Sequence, residues 1–177
     1  GKTARDFDDA VFAKSNGDGS WQVYVAIADV AHYVRPGSAI DQEAYLRGTS
    51  VYFPTHEIPM IPENLSNNLC SLKPDVNRFT LTCEMLIDST GQVQSYRIYE
   101  SVIRSRARLV YDDVAEFLDT GQTRTIRNKE ILDNLIVMNE VAKVLQEKRT
   151  KRGAINFNFA EQQIKLDDQN QMVGVYK

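Results

Sequence analysis

The sequence is poor in the residues that build several common kinds of site. Its two cysteines, Cys70 and Cys83, have no metal-ligand spacing and are too few for a disulfide framework. Reduced, structural thiols of a cytosolic protein are therefore expected. Its two histidines, His32 and His56, stand in no Ser/His or Cys/His pattern, and Ser66 and Ser71 lack the context of a nucleophile elbow. No apolar run approaches the roughly 18 residues that span a bilayer. The start, Gly1-Lys2-Thr3-Ala4, has neither a charged-then-apolar leader pattern nor an initiator Met, and the end, Met172 to Lys177, stops inside an apparent strand. A piece of a longer, cytoplasmic protein with no membrane partner is the expectation. Positive charge is not in excess either: 21 Lys and Arg stand against 24 Asp and Glu, a net charge of −3. A nucleic-acid partner would therefore need a local basic patch, or domains outside this chain.

What is present suits one globular domain: 177 residues, 42% hydrophobic and 25% charged. Four of the five prolines fall between Pro54 and Pro74, which predicts an irregular segment lying over the surface. Ser15-Asn16-Gly17-Asp18-Gly19-Ser20 separates two apolar runs and predicts a hairpin loop. Strands are expected at Asp9–Ala13, Trp21–Asp29, Phe79–Ile87 and Gln92–Arg108, with Asp88-Ser89-Thr90-Gly91 as a turn. Trp21–Ala28 is apolar throughout enough to be a central strand covered on both faces. A short helix is expected over Asp41–Arg47. A longer one runs from Arg127 to Lys151, where Ile131, Leu135, Met138, Ala142 and Leu145 repeat at helical spacing and Gly153 is the stop. The fold class is α/β or α+β: a mixed, largely antiparallel sheet flanked by helices, as an incomplete domain.

Chemistry concentrates in Arg5-Asp6-Phe7-Asp8-Asp9-Ala10, three carboxylates within four residues. In a straight strand Asp6 and Asp8 share a face and Asp9 points away, so all three converge only where the chain bends. Convergence without a cation is costly: at ~5 Å and an effective dielectric of ~20, each pair repels by roughly 3 kcal/mol. Oxygen donors without nearby His or Cys favour Mg²⁺ or Mn²⁺ over zinc, and such a site suits phosphodiester hydrolysis. An EF-hand is excluded, because the later Gly and Glu of the calcium loop are missing. A solvated acidic turn with no ion is the competing reading of these residues alone.

The surroundings extend the pattern. Ala4 to Ala10 is followed in order by Val25-Ala26-Ile27-Ala28-Asp29-Val30 and Arg47-Gly48-Thr49-Ser50-Val51-Tyr52-Phe53-Pro54. Ile58-Pro59-Met60-Ile61-Pro62 and Leu65-Ser66-Asn67-Asn68-Leu69-Cys70-Ser71-Leu72 come next. This series resembles the catalytic (RNB) domain of the RNase II superfamily, densely to about Asp112 and more loosely to Lys177. It looks closer to the bacterial RNase R branch than to RNase II itself. The resemblance implies a hydrolytic exoribonuclease that degrades single-stranded RNA processively from the 3′ end to nucleoside 5′-monophosphates with Mg²⁺.

By that resemblance Asp6, Asp8 and Asp9 match the last three of four family aspartates. Asp9 binds metal, Asp8 is tied most directly to catalysis, and Asp6 supports the metal site. Tyr52 matches a tyrosine that stacks on nucleotides near the 3′ end, Phe157 an aromatic clamping the other side of the stack, and Tyr111 an aromatic close to the scissile phosphate. Arg104, Arg106 and Arg108 alternate along the expected strand, so they would share one face and could track phosphates; a solvated or salt-bridged sheet face is the competing reading. The family's first aspartate falls immediately before Gly1, and a catalytic arginine lies beyond Lys177. The flanking cold-shock and S1 domains, OB-folds that supply basic surface, are also outside the chain. The fragment is therefore expected to be inactive alone; the alternative is a non-catalytic RNA-binding or structural fragment.

Overall fold

Alternating apolar segments pair into sheets in a computed structural model that describes residues 4–155 and 163–176. In chain order, β1 (Asp9–Ser15) and β2 (Trp21–Ala28) form a hairpin, followed by α1 (Val30–Tyr33) and α2 (Ala39–Arg47). β3 (Val51–Tyr52) and β4 (Glu57–Ile58) make a small ribbon, and Leu65–Leu69 is a single π-helical turn. A long hairpin, β5 (Asn77–Ile87) and β6 (Val93–Arg104), precedes α3 (Tyr111–Thr120) and α4 (Lys129–Lys151). A second ribbon, β7 (Gln163–Leu166) with β8 (Met172–Tyr176), completes the described chain. The main sheet has the order β1-β2-β5-β6 and is antiparallel throughout. This is the expected α+β class. Among the described residues no helix is long and apolar enough to cross a membrane.

Local chemistry explains the element ends. In the β1–β2 loop Gly17 and Gly19 both adopt φ 82°, open to glycine at little cost, and the Asp18 carboxylate accepts from the Ser20 N–H at 2.9 Å. The Ser38 hydroxyl caps α2 by accepting from the Asp41 N–H, and Gly48 closes it in the left-handed region. α2 therefore starts two residues before the expected Asp41. The α4 start moves the other way, from Arg127 to Lys129, because the Asn128 side chain accepts from the Glu130 N–H at 2.9 Å. The proline-rich stretch is irregular apart from the β3–β4 ribbon and the π turn.

Two apolar clusters lie on opposite faces and at opposite ends of the sheet. In the first, α4 sets Val137, Met138 and Val141 against Ala13, Val23 and Ile87, and the Asn134 amide donates to the Ala13 carbonyl at 2.6 Å. The expected stripe holds at Leu135 and Met138, but Ala142 and Leu145 are exposed and Val141 is buried instead. Spacings of four and three describe a seam that drifts by ~20° per heptad around a straight helix, so contact passes to the neighbouring residues. The second cluster joins Phe7, Ala28, Cys70 and Leu72 at the far end of the other face.

β2 is central, but it is not covered on both faces. Ile27 is 46% exposed, and Val11, Leu81, Ile98 and Val102, on the same face, are exposed as well. The reason is reach: α4 covers only the Trp21 end of that face.

The β5–β6 turn is organised by Asp88, whose carboxylate accepts from the Thr90 hydroxyl, the Gln92 N–H and the Thr90 N–H. Those bonds hold its carboxyl down at about 2, below the ordinary 3.8. A depressed carboxyl stabilises the fold above pH 3.8, and that contribution is lost as pH falls toward about 2. Denaturation curves across this window are expected to show a shallower acid loss for Asp88→Asn than for the wild type.

Candidate active site

The acidic segment is not a strand. Residues 4–8 are irregular, and the β1 ladder begins only at Asp9, opposite Ile27. The segment is thus outside straight-strand geometry, and the charges of Asp6 and Asp9 both reach Asp8. Phe7 is the anchor: its side chain packs into the second apolar cluster, and the Arg108 guanidinium covers its ring at 5.4 Å. Backbone bonds fix the segment on either side, from the Leu72 N–H to the Phe7 carbonyl and from the Ala28 N–H to the Asp8 carbonyl, both 2.8 Å.

The aspartates flanking Phe7 differ in surroundings. Asp6 accepts from the Tyr52 hydroxyl at 2.8 Å. That bond, then the partial burial of the ring, raises the Tyr52 hydroxyl above its ordinary value, so it remains a donor at neutral pH. Asp8 presents surface to solvent, yet crowding desolvates it, and the charges of Asp6 and then Asp9 add to the effect. All three causes raise its carboxyl. Cys70 beneath the site is buried and free. Its thiol is pushed up by burial, then by Asp8 and Asp29, which keeps it protonated and agrees with a structural thiol.

Segments far apart in sequence meet around Asp6. Asp6, Ser50, Tyr52, Glu57, Pro59, Ser66 and Asn67 line one small cleft. The Ser50 hydroxyl accepts from the Met60 N–H at 2.9 Å, and the Asn67 amide donates to Glu57 at 3.2 Å. Three of the sequence motifs thus close on the acidic segment.

The donor set matches a hard divalent cation in chemistry. In geometry, no group of three or more His, Cys, Asp and Glu among the described residues is gathered tightly enough to hold an ion by itself. Mg²⁺ is commonly held by one or two carboxylates with water and substrate phosphates, so Asp8 with one neighbour is a sufficient protein contribution.

The arginine row is corrected. β6 ends at Arg104, so Arg106 and Arg108 lie beyond the strand and the three do not share one of its faces. The ladder stops because its partner does: Asn77, the first residue of β5, pairs with Arg104. Beyond it Ser105 forms an isolated bridge with Pro74. Arg104 lies 4.0 Å from Asp75, an exposed pair that contributes little. Arg108 reaches the acidic segment itself, over Phe7. Tyr111 opens α3 and is 86% exposed. α3 itself is not among the expected elements, although acidic residues in its first turn and Gly121 at its end are helix signals. Phe157 lies outside the described residues.

Neither histidine joins the site: His32 stacks on Phe79 at 4.3 Å and His56 on Phe53 at 4.8 Å. Glu84, buried elsewhere on the sheet, is fully engaged by Arg97, Tyr99 and Gln22. Burial pushes its carboxyl up, but the Arg97 and Tyr99 bonds outweigh burial and lower it. Sequence reasoning excluded Ser71 as a nucleophile without giving it another role, and did not single out Arg78. Ser71 is fully buried beside the acidic segment, and the Arg78 guanidinium donates to its carbonyl at 2.9 Å. The Ser71 bonds reach 64 and 66 residues back along the chain, so no local pattern announces them.

Comparison with known proteins identifies the family. A family profile described as the RNB domain matches residues 1–177. Ribonuclease R of Vibrio parahaemolyticus is 49% identical over 161 residues, 91% of this chain and 19% of that protein. Ribonuclease R of Escherichia coli is 46% identical over 161 residues, 91% of this chain and 20% of that protein. The chain thus spans about a fifth of the length of these relatives. Among solved structures, Mycoplasma genitalium RNase R in complex with ribose-methylated single-stranded RNA superposes with a TM-score of 0.92 at 34% identity, covering 98% of this chain and 27% of that one.

Proposed function

The chain belongs to the RNB domain family, and from that premise we propose that it is the N-terminal part of a catalytic domain that hydrolyses single-stranded RNA from the 3′ end, releasing nucleoside 5′-monophosphates. The observation that supports this most is the bond from the Tyr52 hydroxyl to Asp6. It joins the acidic segment to the residue that would stack on the RNA, so the two halves of an exonuclease site are adjacent. The solved RNase R complex with single-stranded RNA supports the choice of substrate.

From the set Asp6, Asp8 and Asp9, Asp8 with one of its two neighbours would hold Mg²⁺ or Mn²⁺, with water and RNA phosphate completing the shell. Bound there, the cation supplies charge neutralisation at the phosphate under attack and at the leaving oxygen. The chain's own residues do the rest. Tyr52 orients Asp6 and offers a face to a terminal base. Tyr111, at the exposed start of α3, and Arg108, held over Phe7, would serve the phosphate side. Arg104 and Arg106 would meet the backbone farther out. Because the chain spans about a fifth of the length of its Ribonuclease R relatives, the 177 residues alone are expected to cleave poorly.

Incubating the full-length protein with 5′-labelled single-stranded RNA and Mg²⁺ tests the reading. Progressive shortening from the 3′ end with release of nucleoside 5′-monophosphates is expected. Internal cuts, or no cleavage with either Mg²⁺ or Mn²⁺, would overturn it.

Tyr52 separates its two roles by substitution. Tyr52→Phe keeps the ring and loses the bond to Asp6, so kcat should fall about 10-fold with RNA affinity retained. Tyr52→Ala removes the ring too, and binding should weaken by a further ~1–3 kcal/mol. Equal RNA affinity in both variants, measured by fluorescence anisotropy, would remove Tyr52 from the RNA surface.

A further inference from the structure

We infer that Ser71 is a positioning residue for the acidic site: its hydroxyl clamps the backbone on both sides of Asp6 and so sets where the carboxylates stand. This rests on the proposed role of those carboxylates.

The geometry is specific. The Ser71 hydroxyl donates to the Arg5 carbonyl at 2.6 Å and accepts from the Phe7 N–H at 3.1 Å. Asp6 is the residue between them, so both of its peptide neighbours are held by one side-chain atom. The next residue continues the pattern, with the Leu72 N–H on the Phe7 carbonyl. Together residues 71 and 72 bond both sides of Asp6 and the Phe7 carbonyl that leads into Asp8.

The clamp is itself fixed. Ser71 is fully buried, and its carbonyl accepts from Arg78 and from the Lys73 N–H. Neighbouring Cys70 and Leu72 belong to the apolar cluster that holds Phe7. A hydroxyl so enclosed, with donor and acceptor capacity both used, is unsuited to nucleophilic work. Its bonds reach across 64 and 66 residues, so they serve tertiary placement.

A reason for such a clamp is apparent. Residues 4–8 lie outside the β1 ladder, so strand pairing cannot hold them. Asp6, Asp8 and Asp9 repel one another, and a free segment would relax by spreading its carboxylates. A segment pinned on both sides of Asp6 keeps them together before the cation and the RNA arrive, which is preorganisation.

The test uses the full-length protein. Ser71→Ala leaves the Phe7 N–H and the Arg5 carbonyl without their shared partner. Expected are a kcat lowered about 10-fold or more, and Mn²⁺ affinity weakened about 10-fold, by analogy with losses of groups that orient metal ligands. KM and RNA affinity should stay close to wild type, and the Phe7 amide should exchange with deuterium faster. Ser71→Thr, which keeps the hydroxyl, should recover most of the kcat. Ser101→Ala is the control. It removes another hydroxyl, one that bonds Thr80 at 2.7 Å and Thr82 at 2.6 Å within the sheet, and should leave kcat and Mn²⁺ affinity unchanged.

Wild-type kcat and Mn²⁺ affinity in Ser71→Ala would overturn the inference, as would an equal loss in Ser101→Ala. Should Ser71→Ala not fold, Ser71→Cys keeps the volume with a weaker donor and carries the same expectations. A wild-type protein that neither binds Mn²⁺ nor cleaves RNA refutes the functional reading instead. Phe7 amide exchange then still decides whether Ser71 holds the segment.

Discussion

Asp8→Asn is expected to lower RNA cleavage by the full-length protein on the order of 10³-fold or more, while RNA affinity is kept. Asp8 lies between two like charges and is desolvated by crowding. Asparagine retains the shape and removes the charge that a cation would need, whereas the proposed stacking on Tyr52 and phosphate contacts would remain. A third consequence separates this from simple damage. The Asp8 carboxyl is raised above its ordinary 3.8 in the folded protein. By linkage, the stability it contributes is fully present below pH 3.8 and is lost as pH rises through the raised value. Without a divalent cation, Asp8→Asn should therefore melt higher than wild type near neutral pH, and the difference should vanish in acid. Adding Mn²⁺ should raise the wild-type melting temperature and leave the variant unmoved, since a ligand of the native state stabilises it. Cleavage assays, anisotropy and calorimetry with and without chelator measure these effects. RNA binding that falls as far as cleavage would sink this account of Asp8.

Gly91→Ala is expected to be the most damaging small substitution in the sheet, at about 2–5 kcal/mol. Two costs combine. Gly91 sits at φ 77°, where an L side chain is strained. An added Cβ would also stand 2.9 Å from the Val144 carbonyl oxygen, 3.2 Å from its carbon and 3.3 Å from the Lys148 Cβ. The β5–β6 turn thus packs directly on the backbone of α4, where a helix has little room to move. The melting temperature should fall by roughly 5–15 °C for a domain of this size. Gly121 isolates the conformational part, because its φ is 72° and nothing lies within 4 Å of an added Cβ. Gly121→Ala should therefore cost only about 1–2 kcal/mol. Equal losses in the two variants, by denaturant titration, would show that α4 does not press on the turn.

The elements legible in the sequence are those whose cause is local. The β1–β2 and β5–β6 hairpins follow from alternation broken by Asn-Gly-Asp-Gly and Asp-Ser-Thr-Gly. α4 follows from its apolar stripe between Arg127 and Lys151 and from Gly153 as its stop. The acidic segment stood out as a run of like charge, and the ordered motifs around it carried the family resemblance. Residue details failed where a neighbour set them. Gln92–Arg108 reads as one alternating strand, yet β6 stops at Arg104 because β5 begins at Asn77. That single boundary dissolves the arginine row and lets Tyr111 open a helix. β2 reads as doubly covered, yet the extent of α4 leaves Ile27 exposed.

The opening run of aspartates shows the division most clearly. Residue type alone told that carboxylates crowd together and that hard-cation chemistry suits them, since charge and donor atoms are properties of the side chains. Their arrangement came from elsewhere in the chain. Tyr52 holds Asp6, Ala28 holds the Asp8 carbonyl, and Ser71 bonds both sides of Asp6 from 64 and 66 residues away. Composition and periodicity report forces acting within a few residues. A hydrogen bond closed over sixty residues exists only after the sheet and the apolar cluster around Phe7 have brought its partners together.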